Sequence, residues 1–100
     1  MTSDQFSFSA EVWEHEGPGS WHFVSLPAAV ADQIEETFGQ RAAGFGSVRI
    51  EVAVGVTTWR TSIFPDAKRQ TYVLPLKKAV RVAEGLASGS TAEFQLRVVA

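Results

Sequence analysis

Two five-residue runs, FVSLP at 23–27 and TYVLP at 71–75, carry prolines 75 − 27 = 48 positions apart, and each ends an aromatic-bearing stretch of strand character. Beyond each proline the apolar spacing changes from two to three and four, so the chain has to leave a sheet and enter a helix twice. Proline suits such a point, because its fixed φ is helical and its missing N–H is not needed in a first turn. In the first half Val30, Ala31, Ile34 and Phe38 form the apolar stripe, Asp32, Glu35 and Glu36 face out, and Gly39 is the expected stop. In the second, Leu76, Ala79, Val80 and Ala83 form the stripe, Gly85 is placed for a left-handed cap and Leu86 for packing back over the last turn.

The remaining elements read as strands. Phe6, Phe8, Ala10 and Val12 alternate with polar residues over 6–13, with Trp13 on the polar face. Glu-Gly-Pro-Gly-Ser within 15–20 reverses the chain into a second strand at 21–25. The clearest strand is 48–54, where Val48, Ile50, Val52 and Val54 share one face. Gly55 turns it toward a fourth at 57–64, and Pro65-Asp66 is read as the turn to a fifth at 70–74. The last, 91–98, is expected to bury Ala92, Phe94, Leu96 and Val98. Residues 41–47 read as a mobile connection; Gly44 and Gly46 lack the lysine and hydroxyl of a phosphate loop.

The order strand, strand, helix, strand therefore occurs twice. Strands that arrive as hairpins cannot build a doubly wound sheet. The expected fold is mainly β: a small closed six-stranded barrel, in two pseudo-repeated halves, plugged by two short helices, with residues 1–100 as a single domain.

With no cysteine, disulfides and thiolate chemistry are excluded and a cytoplasmic setting is expected. The start MTSDQFSF has neither the basic nor the apolar run of a signal peptide, and no stretch reaches spanning length. A net charge of −2 argues against a phosphate-backbone binder. Its distribution is uneven. Residues 1–50 hold seven acids and two bases, whereas 51–100 hold four acids and seven bases.

Most of the residues able to carry chemistry lie between Thr57 and Arg81. On a strand, Trp59, Thr61 and Ile63 share one face and Arg60, Ser62 and Phe64 the other. Either Trp59 and Ile63 fill the barrel while Arg60 pairs with an acid, or Arg60 and the Ser62 hydroxyl hold an anionic group beside an aromatic wall of Trp21 or Trp59. Lys77, Lys78 and Arg81 cluster at the start of the second helix, either as a solvated face or as an anion site drawing on the helix terminus. His15 and His22 match no metal-ligand spacing, and no metal or cofactor is expected. Either histidine could act as an acid or base oriented by Asp66. No serine occupies a nucleophile-elbow sequence.

The runs FSAEVW, WHFVSLP, GFGSV, TTWRTSIFPD and YVLPLKKAVR resemble the nineteen-oh-five family of domains of unknown function, across nearly the whole chain. That resemblance implies a small barrel with two helices and no established biochemical activity. The segment LPLKKAVRVAEGLASGSTAEFQLRV is more distantly similar to swapped-hairpin barrels of the AbrB type, with Gly89-Ser90 where those often carry Gly-Asp. The expected role is a non-catalytic module, a monomer or weak homodimer, that binds a small anionic ligand or acidic peptide. The alternatives are an acid/base enzyme using His22 or His15 with Asp66, and a nucleic-acid-binding barrel.

Overall fold

The computed structural model describes residues 4–19, 21–39 and 46–99. Six strands, β1 (Gln5–Glu14), β2 (His22–Ser25), β3 (Val48–Val54), β4 (Thr57–Asp66), β5 (Thr71–Pro75) and β6 (Thr91–Val98), close into an antiparallel barrel in the order β1-β2-β5-β4-β3-β6. Helix α1 (Ala28–Phe38) follows β2 and packs on β5; helix α2 (Lys78–Glu84) follows β5 and packs on β4. The expected connection at 41–47 lies outside the described residues except for Gly46 and Ser47.

Alternation decides what enters the barrel. Val48, Ile50, Val52 and Val54 of β3, Phe94, Leu96 and Val98 of β6, and Phe6, Phe8 and Val12 of β1 are buried in one core with Ile34 and Phe38 of α1 and Val80 of α2. Phe8 and Phe94 are direct register partners, and their rings stack at 5.8 Å. Ala92 is only half-buried, and the apolar stripe expected on α2 is narrower than its composition suggests. Ala79 and Ala83 are exposed, leaving Val80, Leu76 and Leu86 to hold the helix down.

The 48-residue offset has a geometric origin. Exchanging the halves, β1 for β4, β2 for β5 and β3 for β6, returns the same ring of neighbours, so the barrel has a pseudo-dyad. The dyad passes through the two contacts that map onto themselves. In β2–β5, Ser25 faces Val73, and in β3–β6, Ile50 faces Val98; both separations are 48 (73 − 25 and 98 − 50).

The prolines sit slightly differently from expectation. Pro75 ends β5, opposite Phe23, and the Leu76 N–H still donates to the His22 carbonyl at 2.9 Å. This ladder holds 75–76 extended, so the helix begins at Lys78, with the Lys77 carbonyl accepting from Val80 and Arg81. Pro27 is likewise the residue before α1, its carbonyl accepting from Ala31. Pro65-Asp66 is strand, not turn. Pro65 pairs with Tyr72 of β5, and β3 has already ended opposite Ile63, so a residue without N–H is tolerated at a position partnered on one side. The turn lies at 67–70, where Asp66 accepts from the Lys68 and Arg69 N–H groups and Gln70 takes a left-handed φ of 56°.

Gly39 ends α1 in right-handed geometry, whereas Gly85 takes φ 64°. At α2 the Leu86 N–H donates to Arg81 (2.8 Å) and the Gly85 N–H to Val82 (3.4 Å), the paired bonds of a Schellman motif, with Leu86 packed against the core. Close by, in the β3–β4 turn, Gly55 (φ 57°) lies under the Glu84 carboxylate, which accepts the Thr57 hydroxyl at 2.6 Å. This bond ties the β3–β4 turn to α2.

Candidate functional site

β4 is shared between two neighbours in succession. Residues 57–63 pair with β3 and only 64–66 pair with β5, so the wall opens where Trp59–Thr61 have left β5 behind. α2 and the segment leading into it cover this gap incompletely. The result is a cleft of about 430 Å³ with Trp59, Pro75 and Leu76 as its apolar wall. Trp21 and His22 close one side, and Arg60, Lys77, Lys78 and Arg81 supply its charge.

Six of the seven residues singled out in the sequence, Trp21, Trp59, Arg60, Lys77, Lys78 and Arg81, thus border one cavity. Trp59 enters it from the inner side of β4 and Arg60 from the outer. Trp59 is almost wholly buried, so it fills the barrel and floors the cleft at once. Trp21 is 60% exposed and offers an open indole face. Ser62 falls outside the cleft: it lies two residues further along β4, opposite Arg49 and next to the stretch from Phe64 that pairs with β5. The Ser62 hydroxyl is therefore not placed with the cleft's charges.

Four cations meet here with little compensation. Arg60 contacts Glu51 at 3.5 Å, but its side chain is 71% exposed, and a long, solvated pair of this kind contributes little. Glu51 is held more firmly by Arg97, whose hydrogen bond at 3.2 Å, ahead of the Arg60 contact, lowers its pKa below the usual glutamate value. Arg81 donates Nε to the Leu76 carbonyl at 3.2 Å, which fixes the guanidinium at the cleft while its two terminal nitrogens have no partner among the described residues. Neither Lys77 nor Lys78 pairs with an acid among those residues. The helix terminus adds little, since α2 has only seven residues; the side chains themselves carry the positive charge.

The histidine–aspartate pairs are separated or preoccupied. His22 is buried beside the cleft, whereas Asp66 lies on the β4–β5 hairpin. His15 and Asp66 border the same hollow, but Asp66 accepts from Arg69 Nη1 at 3.0 Å and from two backbone N–H groups. Burial would raise the Asp66 pKa; the bonds from Arg69 and Lys68 outweigh it and leave it lowered. Among the described residues no three His, Cys, Asp or Glu side chains gather as a metal site, and no helix is long and apolar enough to cross a membrane.

A match to a domain of unknown function (DUF1905) runs over residues 8–96. The chain belongs to the DUF1905 family. No curated protein matches it. The residues that line the cleft all lie within the DUF1905 match, and the family's description carries no activity to transfer to it. The second-half similarity to AbrB-type barrels is not shown by that match.

Two aromatic features of this DUF1905 barrel escaped the sequence reading. Trp13, on the outer face of β1, pairs in register with Phe23, their ring centroids 5.0 Å apart, and donates its indole N–H to Ser25 Oγ at 3.0 Å. Trp21 continues the row, 6.5 Å from Phe23. The signal was present: Trp13 and Phe23 are the aromatics on the solvent faces of the first two strands, and a hairpin brings such residues together. His22 as a buried wall could not be foreseen while 21–25 read simply as a strand beside a loop.

Proposed function

We propose that this protein is a non-catalytic binding module whose ligand is a small anionic group attached to an apolar or aromatic body, held in the cleft between β4 and α2. The observation that carries this reading is the convergence of Arg60, Lys77, Lys78 and Arg81, with almost no acidic partner, around a cavity walled by Trp21, Trp59 and Leu76. Cations alone would suit a solvated face. Joined to an aromatic wall and a concave shape, they match the chemistry of an amphipathic anion. A cytoplasmic setting and a monomer or weak homodimer fit this role.

The test is a thermal-shift titration with benzoate, phenyl phosphate and inorganic phosphate. Saturation to about 100 times the dissociation constant adds roughly 2.7 kcal/mol, which for a chain of this size is an upward shift of about 10 °C or more. Benzoate or phenyl phosphate should shift the wild type and should fail with the Lys77→Glu/Arg81→Glu variant. No shift with any aromatic anion would sink the proposal.

A further inference from the structure

The cleft does not end at Trp21. Trp21, Phe23 and Trp13 form a continuous row on the outer wall of β1 and β2, and the Arg69 guanidinium lies 3.7 Å above the Trp13 ring. Centroid steps of 6.5 and 5.0 Å make a strip of at most about 12 Å, the reach of three or four extended residues, with Arg69 capping the Trp13 face. Trp13 is pinned by its bond to Ser25 and by Arg69, so the strip is preformed.

Charge varies along it. The cleft end carries four cations. The far end is a second hollow, of about 820 Å³, lined by Glu14, Glu16 and Asp66 together with Lys68 and Arg69. An occupant of both ends therefore needs negative charge at one end and a neutral, apolar remainder. A nucleic-acid strand carries its charge evenly and would meet the far-end acids. The strip is an open outer wall, which suits a polypeptide whose backbone stays hydrated.

Resting on the anion-binding reading above, we propose that cleft and strip are one groove for an extended peptide segment, its acidic residues in the cleft and its apolar or proline residues along Trp21, Phe23 and Trp13. The apolar residues would lie against ring edges and the free Trp21 face, and Arg69 would mark the end of the groove.

Labelled peptides starting with two aspartates, followed by zero, two, four or six alternating leucine and proline residues, would be titrated by fluorescence anisotropy, with phenyl phosphate and hexathymidylate alongside. Affinity should rise by about tenfold up to roughly four apolar residues and then level off, because the strip ends there. Replacing both aspartates by asparagines should abolish binding. Phe23→Thr, its fold checked by thermal midpoint, should remove the length dependence yet leave phenyl phosphate binding intact. Affinity independent of tail length would overturn the peptide proposal while leaving an anion site. Failure of phenyl phosphate and every peptide would remove both readings. Tighter, strongly salt-dependent binding of hexathymidylate would overturn the peptide in favour of single-stranded nucleic acid.

Discussion

Gly55 and Gly85 share a left-handed backbone but not an environment, and the difference gives a quantitative test of how α2 is held. A Cβ at position 85 would meet nothing within 4 Å, so Gly85→Ala bears only the conformational penalty, about 1 kcal/mol. At position 55 the same Cβ would land on the Glu84 carboxylate and displace it from the Thr57 hydroxyl. Losing that charge-assisted bond adds roughly 1–2 kcal/mol to the same penalty, for about 2–3 in all. With a urea slope near 1 kcal/mol/M, the midpoints should fall by about 1 M for Gly85→Ala and about 2–3 M for Gly55→Ala. A double-mutant cycle isolates the cause: in a Glu84→Ala background, Gly55→Ala should drop back to about 1 kcal/mol. Equal losses at the two glycines, or strict additivity with Glu84→Ala, would refute the idea that the Thr57–Glu84 bond ties the turn to the helix carrying the cleft's cations.

Removing the side chain of Ile50, which is fully buried beside the pseudo-dyad, should lower stability by about 2–5 kcal/mol as Ile50→Ala, read by chemical denaturation. Trp21→Ala should change stability by less than about 0.5 kcal/mol, yet weaken phenyl phosphate about tenfold through loss of the aromatic face, as measured by calorimetry. The Asp66 carboxyl, held against the opposing effect of burial below the usual aspartate value in the folded state by its bonds from Arg69 and Lys68, stabilises the fold above the unfolded pKa, and that contribution is lost as pH falls through the folded one. Denaturation midpoints of Asp66→Asn should accordingly show a shallower decline than wild type below about pH 4. Gln70→Gly should raise stability by up to about 1 kcal/mol by relieving the left-handed φ at the β4–β5 turn, seen as a higher thermal midpoint.

The barrel was legible because alternation in β1, β3 and β6 and the repeated proline runs each fix a face, and six apolar faces with two helical stripes leave few ways to close. Element ends were less legible. Pro65 reads locally as a turn residue, and only the register, with β3 already ended, shows why a strand passes through it. Pro75 reads as a helix opener because nothing local reveals that Leu76 is still bonded to His22. For the site, the residue types at 59–60 and 77–81 were visible, and so was their chemistry. Their convergence depends on β4 trading β3 for β5 near Ile63, a long-range event with no local signature, and for the same reason Ser62 could not be separated from Arg60.

The ring order also governs when the chain can become a protein. β3 finds both its neighbours, β4 and β6, in the second half, and β6 finds both of its own, β3 and β1, in the first. Neither half can satisfy its own hydrogen bonds. During synthesis β1 and β3 stand as open edges until β6 is available, so closure of the ring waits for its last strand. Folding should be slow for a chain this short, and its most vulnerable moment is the interval in which two unpaired edges are exposed to neighbouring chains.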